Sequence, residues 1–261
     1  MGDNRKLRVG SVPYLNAKPL VDWFHSSECD ADVEVTYAVP SELARMLRRN
    51  ELDVANVSIF EAFQNPDLAL VPGISISAYG AVKSVRLFSQ VPLAELRTVA
   101  LDTSSLTSAA LTKILLAEQF QSHPTYVSQP PHLETMLHTC EAGLIIGDLK
   151  LFALHSDTTV YDLGQGWFDL TGLPFVYAGW LARNEVANPA TTAILTRAKA
   201  WGLARLEPLA AKWADRMSLP LDRSQDYLLN VMNYDLTPEQ RHGMELFRQK
   251  CLRHGLLSPE K

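Results

Sequence analysis

Apolar residues along this chain follow two alternating spacings, one typical of strands and the other of helices. The short apolar run at residues 7–12 and the alternating run at 33–37 have the character of β-strands. Residues 41–50 instead place Leu43 and Leu47 four positions apart, which gives a helix one buried face. Because the two spacings alternate through the first half of the chain, they predict an α/β fold with a largely parallel sheet.

The same pattern extends along the whole chain. The predicted strands cover residues 7–12, 33–37, 54–57, 85–89, 99–101, 125–127 and 144–146. The predicted helices cover residues 19–24, 41–50, 108–120, 132–138, 190–206 and 237–255. Ser58 and Glu61 have the spacing of a capping box, which predicts a further helix start. From Ala187 onward the chain is mostly helical, and a helix-rich end after two βα modules predicts two lobes, the second inserted within the first.

Composition and charge argue against several classes of protein. The chain has 24 Lys and Arg against 29 Asp and Glu, a net charge of −5, and no basic cluster, so we expect no nucleic-acid partner. No apolar run approaches the length of a membrane span, so we expect no membrane association. Pro13 and Asn16 interrupt the first apolar stretch, which therefore differs from a secretory signal. We expect a cytoplasmic protein.

The sequence contains no recognisable metal or nucleotide motif. The three cysteines are far apart and form no CxxC pair, and the seven histidines form no HExxH motif. Neither GxGxxG nor GxxxxGK[ST] occurs. We therefore expect no metal and no cofactor.

Three junctions between a predicted strand and a predicted helix carry polar residues suited to binding an anion: 12–19, 101–108 and 145–149. In an open α/β sheet, ligands bind beyond the carboxyl ends of the strands, where helix N-termini present unpaired N–H groups. Residues 103–108 hold five hydroxyls, more than one helix cap requires, and form the strongest candidate. Ordinary N-caps use the same residue types. The residues alone thus predict a protein that binds a small anion, and they leave open whether it is an enzyme.

At these junctions the sequence resembles the chorismate dehydratases of the futalosine route to menaquinone. Residues 9–20 read Val-Gly-Ser-Val-Pro-Tyr-Leu-Asn-Ala-Lys-Pro-Leu, which is similar to the opening of that family. The other similar segments, in the same order along the chain, are residues 51–55, 84–89, 101–108, 146–148, 161–164 and 171–178.

The resemblance implies a two-lobed α/β fold, the periplasmic-binding-protein-like fold of the second type, with a ligand cleft between the lobes. The chain would cross between the lobes near residues 84–89 and 175–180. The first lobe would then hold residues 1–86 and 178–261, and the inserted second lobe residues 87–177.

The reaction implied by the resemblance removes water from chorismate, a dicarboxylate, and gives 3-[(1-carboxyvinyl)oxy]benzoate. The ring becomes aromatic as it loses a proton beside the enolpyruvyl ether together with the neighbouring hydroxyl. Such an enzyme would need to hold two carboxylates and orient the leaving hydroxyl, without a metal or cofactor. The substrate's own enolpyruvyl carboxylate would serve as the base, in which case no protein base is needed. Whether the base is this carboxylate or a group of the protein stays open.

The resemblance also implies roles for individual residues. Asn16 matches the family's active-site asparagine and would orient the leaving hydroxyl or the ring. Ser84, at the first crossover, would donate a hydrogen bond to a carboxylate or hydroxyl, and both residues are predicted as catalytic. Asp148 is equally consistent with a helix cap and with a substrate contact. The residues predicted to bind substrate are Ser58, Ser104, Ser105, Thr107, Ser108, Gly147 and Asp148.

One position departs from the family pattern. Leu106 stands where many relatives would carry an arginine within a Ser-Arg-Thr-Ser segment. A positive charge is therefore missing here, and either Lys18 or Lys83 supplies it or neutral donors alone hold the carboxylate.

Two alternative functions remain open at this point. The sister enzyme 1,4-dihydroxy-6-naphthoate synthase has the same fold, but its opening segment differs from the Val-Pro-Tyr-Leu-Asn of residues 12–16. A non-catalytic cytoplasmic binding protein or sensor for a small carboxylate would also use this scaffold, because one fold carries many functions. The sequence leaves the oligomeric state open.

Overall fold

The computed structural model describes residues 5–147 and 158–258. The strands are β1 (Leu7–Ser11), β2 (Val33–Tyr37), β3 (Val54–Ser58), β4 (Leu68–Ala78), β5 (Val85–Ser89), β6 (Thr98–Asp102), β7 (Thr125–Gln129), β8 (Ala142–Ile146), β9 (Thr159–Asp162), β10 (Phe175–Arg183) and β11 (Met232–Asn233). The helices are α1 (Lys18–Val21), α2 (Pro40–Arg48), α3 (Ile59–Gln64), α4 (Leu106–Phe120), α5 (Leu133–Thr139), α6 (Leu163–Thr171), α7 (Pro189–Leu203), α8 (Leu206–Met217), α9 (Leu221–Asp226) and α10 (Pro238–Arg253). The α/β class predicted from the sequence is confirmed.

The strands form two mixed sheets. One has six strands in the order β11-β4-β10-β3-β1-β2, and the other has five in the order β7-β6-β8-β5-β9. In the first sheet β1 runs parallel to β2 and β3, whereas β10 runs antiparallel to β3. In the second, β6 runs parallel to β7 and β8, whereas β5 runs antiparallel to β8 and β9. The predicted parallel arrangement therefore holds for the βα modules, and the antiparallel pairings involve β10 and β5.

The chain divides into two compact units. The first runs up to Ile76 and includes Ala178–Leu236, and the second comprises Ser77–Tyr177 and the chain from Thr237 onward. This division differs from the predicted one, which placed residues 77–86 and the C-terminal helix in the first lobe.

Side chains of α10 explain why this helix belongs to the second unit. The Phe247 ring packs edge-on against Trp167 and Phe175, with centroid distances of 6.0 and 4.9 Å. Lys250 forms an ion pair with Glu118 of α4. The periodicity of a helix predicts which of its faces is buried, but it does not identify the sheet that covers that face.

The first unit packs helices on both faces of its sheet. Because β1 lies between β2 and β3, the chain moves one way along the sheet from β1 to β2 and the opposite way from β2 to β3. Right-handed crossovers therefore place α1 and α2 on opposite faces. Gly10 faces α2, since a Cβ atom there would lie 2.9 Å from Leu43 Cδ2. Side chains alternate along a strand, so Ser11 faces the α1 side.

The second unit has a core between its sheet and α5. That core comprises Phe88, Ala100, Leu133, Met136, Cys140 and Ile145, all buried. Among the residues that the structure describes, no helix of either unit is both long and apolar enough to cross a membrane.

Candidate functional site

In the first unit, Asn16 is a fixed polar group at the carboxyl end of β1. It lies in the 3-10 turn Leu15–Ala17, between β1 and α1. Its Nδ2 donates a hydrogen bond to the hydroxyl of buried Tyr227 at 3.2 Å. Its Oδ1 is buried and has no hydrogen-bond partner within the described ranges. The amide is therefore held at one end and keeps an acceptor for a ligand at the other.

Tyr227 begins a π-helical turn, Tyr227–Val231, that follows α9. Such turns are rare and occur frequently at functional sites. Here the turn contacts the 3-10 turn that carries Asn16. The sequence carries no spacing signal for a π-helical turn, and this residue was not among those predicted for the site.

Ser58 lies at the same edge of the first sheet as Asn16, because β3 runs parallel to β1 and Ser58 is its last residue. Its burial is nearly complete at 9% exposure. Helix α3 begins at Ile59 as predicted, but the predicted capping box does not form. The Ser58 side chain makes no cap hydrogen bond. Glu61 instead pairs with Arg48 and accepts a hydrogen bond from Asn65 Nδ2 at 2.6 Å.

In the second unit, the predicted hydroxyl turn forms the N-terminus of α4. Ser105 is the N-cap: its side chain accepts a hydrogen bond from Ser108 N at 3.2 Å and donates one to Ser108 Oγ at 3.0 Å. Thr107 and Ser108 are buried in the first turn of the helix. Leu106, the first residue of α4, is 46% exposed. The turn is thus a well-formed helix cap with one apolar side chain exposed to solvent.

Asp102 is a buried carboxyl group beneath this turn that the sequence analysis did not single out. It ends β6 and accepts hydrogen bonds from the Ser104 backbone N at 2.8 Å, from the Ser104 hydroxyl at 2.5 Å and from Ile146 N at 3.4 Å. Burial raises the pKa of Asp102, and the bonds from Ser104 oppose that rise. In the sequence, the feature that could have identified Asp102 is its position immediately before the hydroxyl-rich residues 103–108.

Ser84 and Gly147 meet at the same edge of the second sheet. Gly147 N donates a hydrogen bond to the Ser84 carbonyl at 3.0 Å, next to the Val85–Ile146 pairing of β5 with β8. Since β8 also lies beside β6, the second unit gathers Ser84, Gly147 and the α4 turn at one edge. Asp148 lies outside the described residues.

The two lysines considered as replacements for the missing arginine have different settings. Lys18 is buried, with its Nζ 3.8 Å from the centroid of the Trp213 ring and 5.0 Å from that of Tyr37. That cation–π contact lies within the first unit. Lys83 precedes Ser84, and its backbone N donates to Asp162 Oδ2 at 2.7 Å. Lys83 therefore adjoins the predicted second-unit residues, whereas Lys18 is held by aromatic rings of the first unit.

A polar cavity of about 430 Å³ lies on the first unit, away from the predicted residues. Its lining includes Arg48, Asn65 and Arg183. Both arginines already pair with buried carboxylates, Arg48 with Glu61 and Arg183 with Asp53. The cavity adjoins the amino end of β3, opposite the edge at which α/β sheets bind ligands. Within the described ranges, no group of three or more His, Cys, Asp or Glu residues could hold a metal ion.

Comparison with solved structures identifies the fold. The structure matches that of a protein from Archaeoglobus fulgidus with a TM-score of 0.78 and 14% identity, over 98% of this chain and 100% of the other. It also matches the periplasmic aliphatic sulphonate binding protein of Escherichia coli, with a TM-score of 0.68 and 18% identity, over 98% and 95% of the two chains. The predicted periplasmic-binding-protein-like fold is confirmed.

Comparison of sequences identifies the family. A curated chorismate dehydratase from Thermus thermophilus is 34% identical over 260 residues, which cover 92% of this chain and 93% of that protein. The sequence profile of a family described as menaquinone biosynthesis matches residues 7–253. The chain, with Asn16 at the carboxyl end of β1 and the hydroxyl turn at the start of α4, belongs to this menaquinone biosynthesis family.

Proposed function

We propose that this protein is a chorismate dehydratase, a hydro-lyase that converts chorismate to 3-[(1-carboxyvinyl)oxy]benzoate and water. The observation that carries the proposal is the 34% identity to the Thermus thermophilus chorismate dehydratase along 92% of the chain. The chemistry of the described residues supports it. The predicted positions offer neutral hydrogen-bonding groups, which suit a reaction whose driving force is aromatisation of the substrate ring.

Asn16 is the residue we assign to the leaving hydroxyl. Its Oδ1, which has no partner among the described residues, can accept a hydrogen bond from the substrate hydroxyl, while the Tyr227 hydroxyl fixes the other end of the amide. A group held in this way orients a reacting bond without having to reorganise during the reaction. The ring proton goes to a base, which we assign to the enolpyruvyl carboxylate of the substrate itself.

The α4 turn is the element we assign to a substrate carboxylate. Helix α4 is 15 residues long, so its N-terminus carries a partial positive charge that suits an anion. The hydroxyls predicted to bind substrate belong to Ser104, Ser105, Thr107 and Ser108. Four further residues remain predicted substrate contacts: Ser58, Ser84, Gly147 and Asp148. As a biosynthetic enzyme with a small-molecule substrate, the protein would lie in the cytoplasm.

The first test is an activity assay on the purified full-length protein treated with chelator. We expect the ultraviolet absorbance to report formation of an aromatic product and mass spectrometry to find a product lighter than chorismate by one water. Intact chorismate after prolonged incubation would contradict the proposal.

Calorimetry would then separate the alternatives. Heat of chorismate binding without turnover would indicate a binding protein, the function named for the Escherichia coli protein of the same fold. The absence of binding heat would point to another substrate.

A further inference from the structure

Two neighbouring side chains in the first sheet bury polar atoms that have no hydrogen-bond partner among the described residues. Asn56 of β3 and Trp180 of β10 are directly opposite each other in the antiparallel pair, so their side chains lie on the same face. They are 1% and 0% exposed. Oδ1 and Nδ2 of Asn56 and Nε1 of Trp180 form no hydrogen bond in the part of the chain that the structure describes. Buried polar groups in proteins are nearly always hydrogen-bonded, so three such atoms close together indicate a bound molecule.

Packing alone does not account for these residue types. Leucine has the same branched side-chain skeleton as asparagine, and phenylalanine fills most of the space of tryptophan. Neither leucine nor phenylalanine has a polar atom in its side chain. Burying an amide or an indole N–H without a partner destabilises the folded state. The neighbours of Asn56 on β3, Ala55 and Val57, are buried apolar residues, as a core strand requires. Asn56 is therefore a polar residue within the apolar part of its strand, residues 54–57.

These side chains point to the same side of the sheet as α1. Ala55 faces α2, since it lies beside Gly10, whose Cβ position meets Leu43 of α2. Because side chains alternate along a strand, Asn56 faces the opposite side of the sheet from Ala55. Trp180 is paired with Asn56 in β10 and therefore faces the same side as Asn56. The parallel register of β1 with β3 pairs Gly10 with Ala55, and the next residue of each strand is Ser11 and Asn56. This face leads to the turn that carries Asn16.

Two other buried polar atoms of the first unit also have no hydrogen-bond partner among the described residues. One is the buried Oδ1 of Asn16, and the other is the buried hydroxyl of Tyr234. Tyr234 directly follows β11 and its backbone carbonyl accepts a hydrogen bond from Ser75 N of β4, at 3.1 Å. Burial, and to a smaller degree the neighbouring Tyr227 phenol, raises the pKa of Tyr234. Tyr227 is therefore near both the Asn16 amide, to which it is hydrogen-bonded, and Tyr234.

The chemistry of the unpaired atoms selects the kind of ligand. Asn56 Nδ2 and Trp180 Nε1 are donors, Asn56 Oδ1 and Asn16 Oδ1 are acceptors, and the Tyr234 hydroxyl can act as either. A carboxylate only accepts hydrogen bonds and would face the two amide oxygens without a proton between them. A hydroxyl group or a water molecule both donates and accepts, so it matches this mixed set.

We propose that Asn56 and Trp180 form a binding site for a neutral hydroxyl group. Its occupant is a water molecule in the free protein and, during turnover, the ring hydroxyl of the substrate that leaves as water. The second role rests on the proposed function. In that step the C–O bond breaks with its electron pair on oxygen, the ring proton is removed, and the two combine as one water molecule. Asn56 and Trp180 would receive that water beside Asn16.

The variant Asn56→Leu tests this proposal because a structural role and a binding role give opposite patterns. If Asn56 has only a structural role through a bound water, Asn56→Leu lowers the melting temperature and leaves kcat at the wild-type value. If Asn56 binds the leaving hydroxyl, kcat on chorismate falls by about tenfold or more while the protein stays folded. A variant with wild-type kcat and KM would overturn the role in the reaction.

Trp180→Phe is the second variant, which removes the N–H while keeping an aromatic ring. We expect a smaller fall in kcat than for Asn56→Leu. Its matched control is Trp201→Phe, since Trp201 Nε1 is also buried and has no partner among the described residues. Trp201 lies on α7, with the Arg205 guanidinium carbon 4.6 Å from the centroid of its ring. The control keeps the wild-type kcat. Equal kcat values for Trp180→Phe and the control would also overturn the role in the reaction.

A high-resolution crystal structure of the unliganded protein decides the water site independently of activity. We expect an ordered water within about 3.2 Å of both the Asn56 amide and Trp180 Nε1. An empty site would overturn the proposal. An ordered water combined with unchanged kcat in both variants would assign the site to a structural water only. If the wild-type protein does not dehydrate chorismate, the proposed function fails, and the crystal structure still decides the site.

Discussion

The two units of this protein treat polar side chains at their sheet edges differently. In the first unit, Asn16 keeps a buried oxygen without a partner among the described residues. In the second, Ser104 bonds to Asp102 and Ser105 bonds to Ser108, so these hydroxyls already have partners within the protein. The first unit thus offers a side-chain atom that can hydrogen-bond to a ligand, whereas the second offers a preformed helix N-terminus. Substitutions should therefore act mainly on turnover in the first unit, and on both binding and stability in the second.

The largest effect is expected for Asn16→Ala. We expect kcat/KM for chorismate to fall by roughly 100-fold or more, because the group that orients the leaving hydroxyl is lost. The melting temperature should fall only slightly, since the variant loses one hydrogen bond, from Asn16 Nδ2 to Tyr227, and the Asn16 oxygen has no partner in the described structure. Steady-state kinetics and thermal unfolding measure the two quantities.

Asn65→Ala is the matched control for that variant. Asn65 also uses its amide nitrogen in the first unit, bonding Glu61 at 2.6 Å, but lies away from the predicted site residues. It should keep the wild-type kcat/KM. If Asn16→Ala behaves like this control, the assignment of Asn16 is wrong.

Tyr227→Phe should produce the next largest effect. It removes the hydroxyl that accepts from Asn16 Nδ2, and we expect kcat/KM to fall about tenfold because the amide loses its fixed orientation. In the double variant with Asn16→Ala, the Tyr227 change should add almost nothing, since the group it positions is gone. Fully additive effects in this double-mutant cycle would show that the two residues act separately.

Ser105→Ala tests the second unit. Loss of the N-cap should lower the free energy of unfolding by about 1 kcal/mol, and KM should rise because the α4 turn is no longer preformed. Thr237→Ala is the control, as Thr237 is the N-cap of α10 in the same unit. It should lose similar stability with no change in KM. A KM that stays constant in both variants would remove the α4 turn from the binding site.

The smallest effect concerns Asp102 and its pH dependence. Burial raises its pKa, so the folded state binds this proton more tightly than the unfolded chain does. The contribution to stability is present at low pH and is lost as pH rises through the normal range of an aspartate and then through the raised pKa. Relative to Asp102→Asn, the wild-type melting temperature should therefore fall as pH increases from about 4. A constant difference across this range would contradict the raised pKa.

Much of the fold follows from local pattern, and the exceptions have identifiable causes. All seven predicted strands occur, because their apolar runs are short and bounded by turn residues. Strand β4 was missed since Pro72 and Gly73 within it are typical of a turn, and β11 has only two residues. Strands β9 and β10 were not predicted either, and residues 175–180 of β10 were expected only as a crossover between the lobes.

The candidate site was predictable only where a residue type is unusual for its local setting. Five hydroxyls in residues 103–108 exceed the need of one cap, and they do form the start of α4. Asn16 was identified through the family resemblance, and its contact with Tyr227 joins residues 211 positions apart, which no local pattern encodes. Asn56 lies between apolar residues of β3, and whether its polar atoms find partners depends on the residues that pack on the α1 side of the sheet.

The measurement that tests the central claim most directly uses chorismate carrying a heavy oxygen isotope in its ring hydroxyl. After incubation with the wild-type protein, mass spectrometry should find a dehydrated aromatic product without the heavy isotope, because that hydroxyl leaves as water. A dehydrated product that retains the heavy isotope, or labelled chorismate that remains intact, would contradict the account.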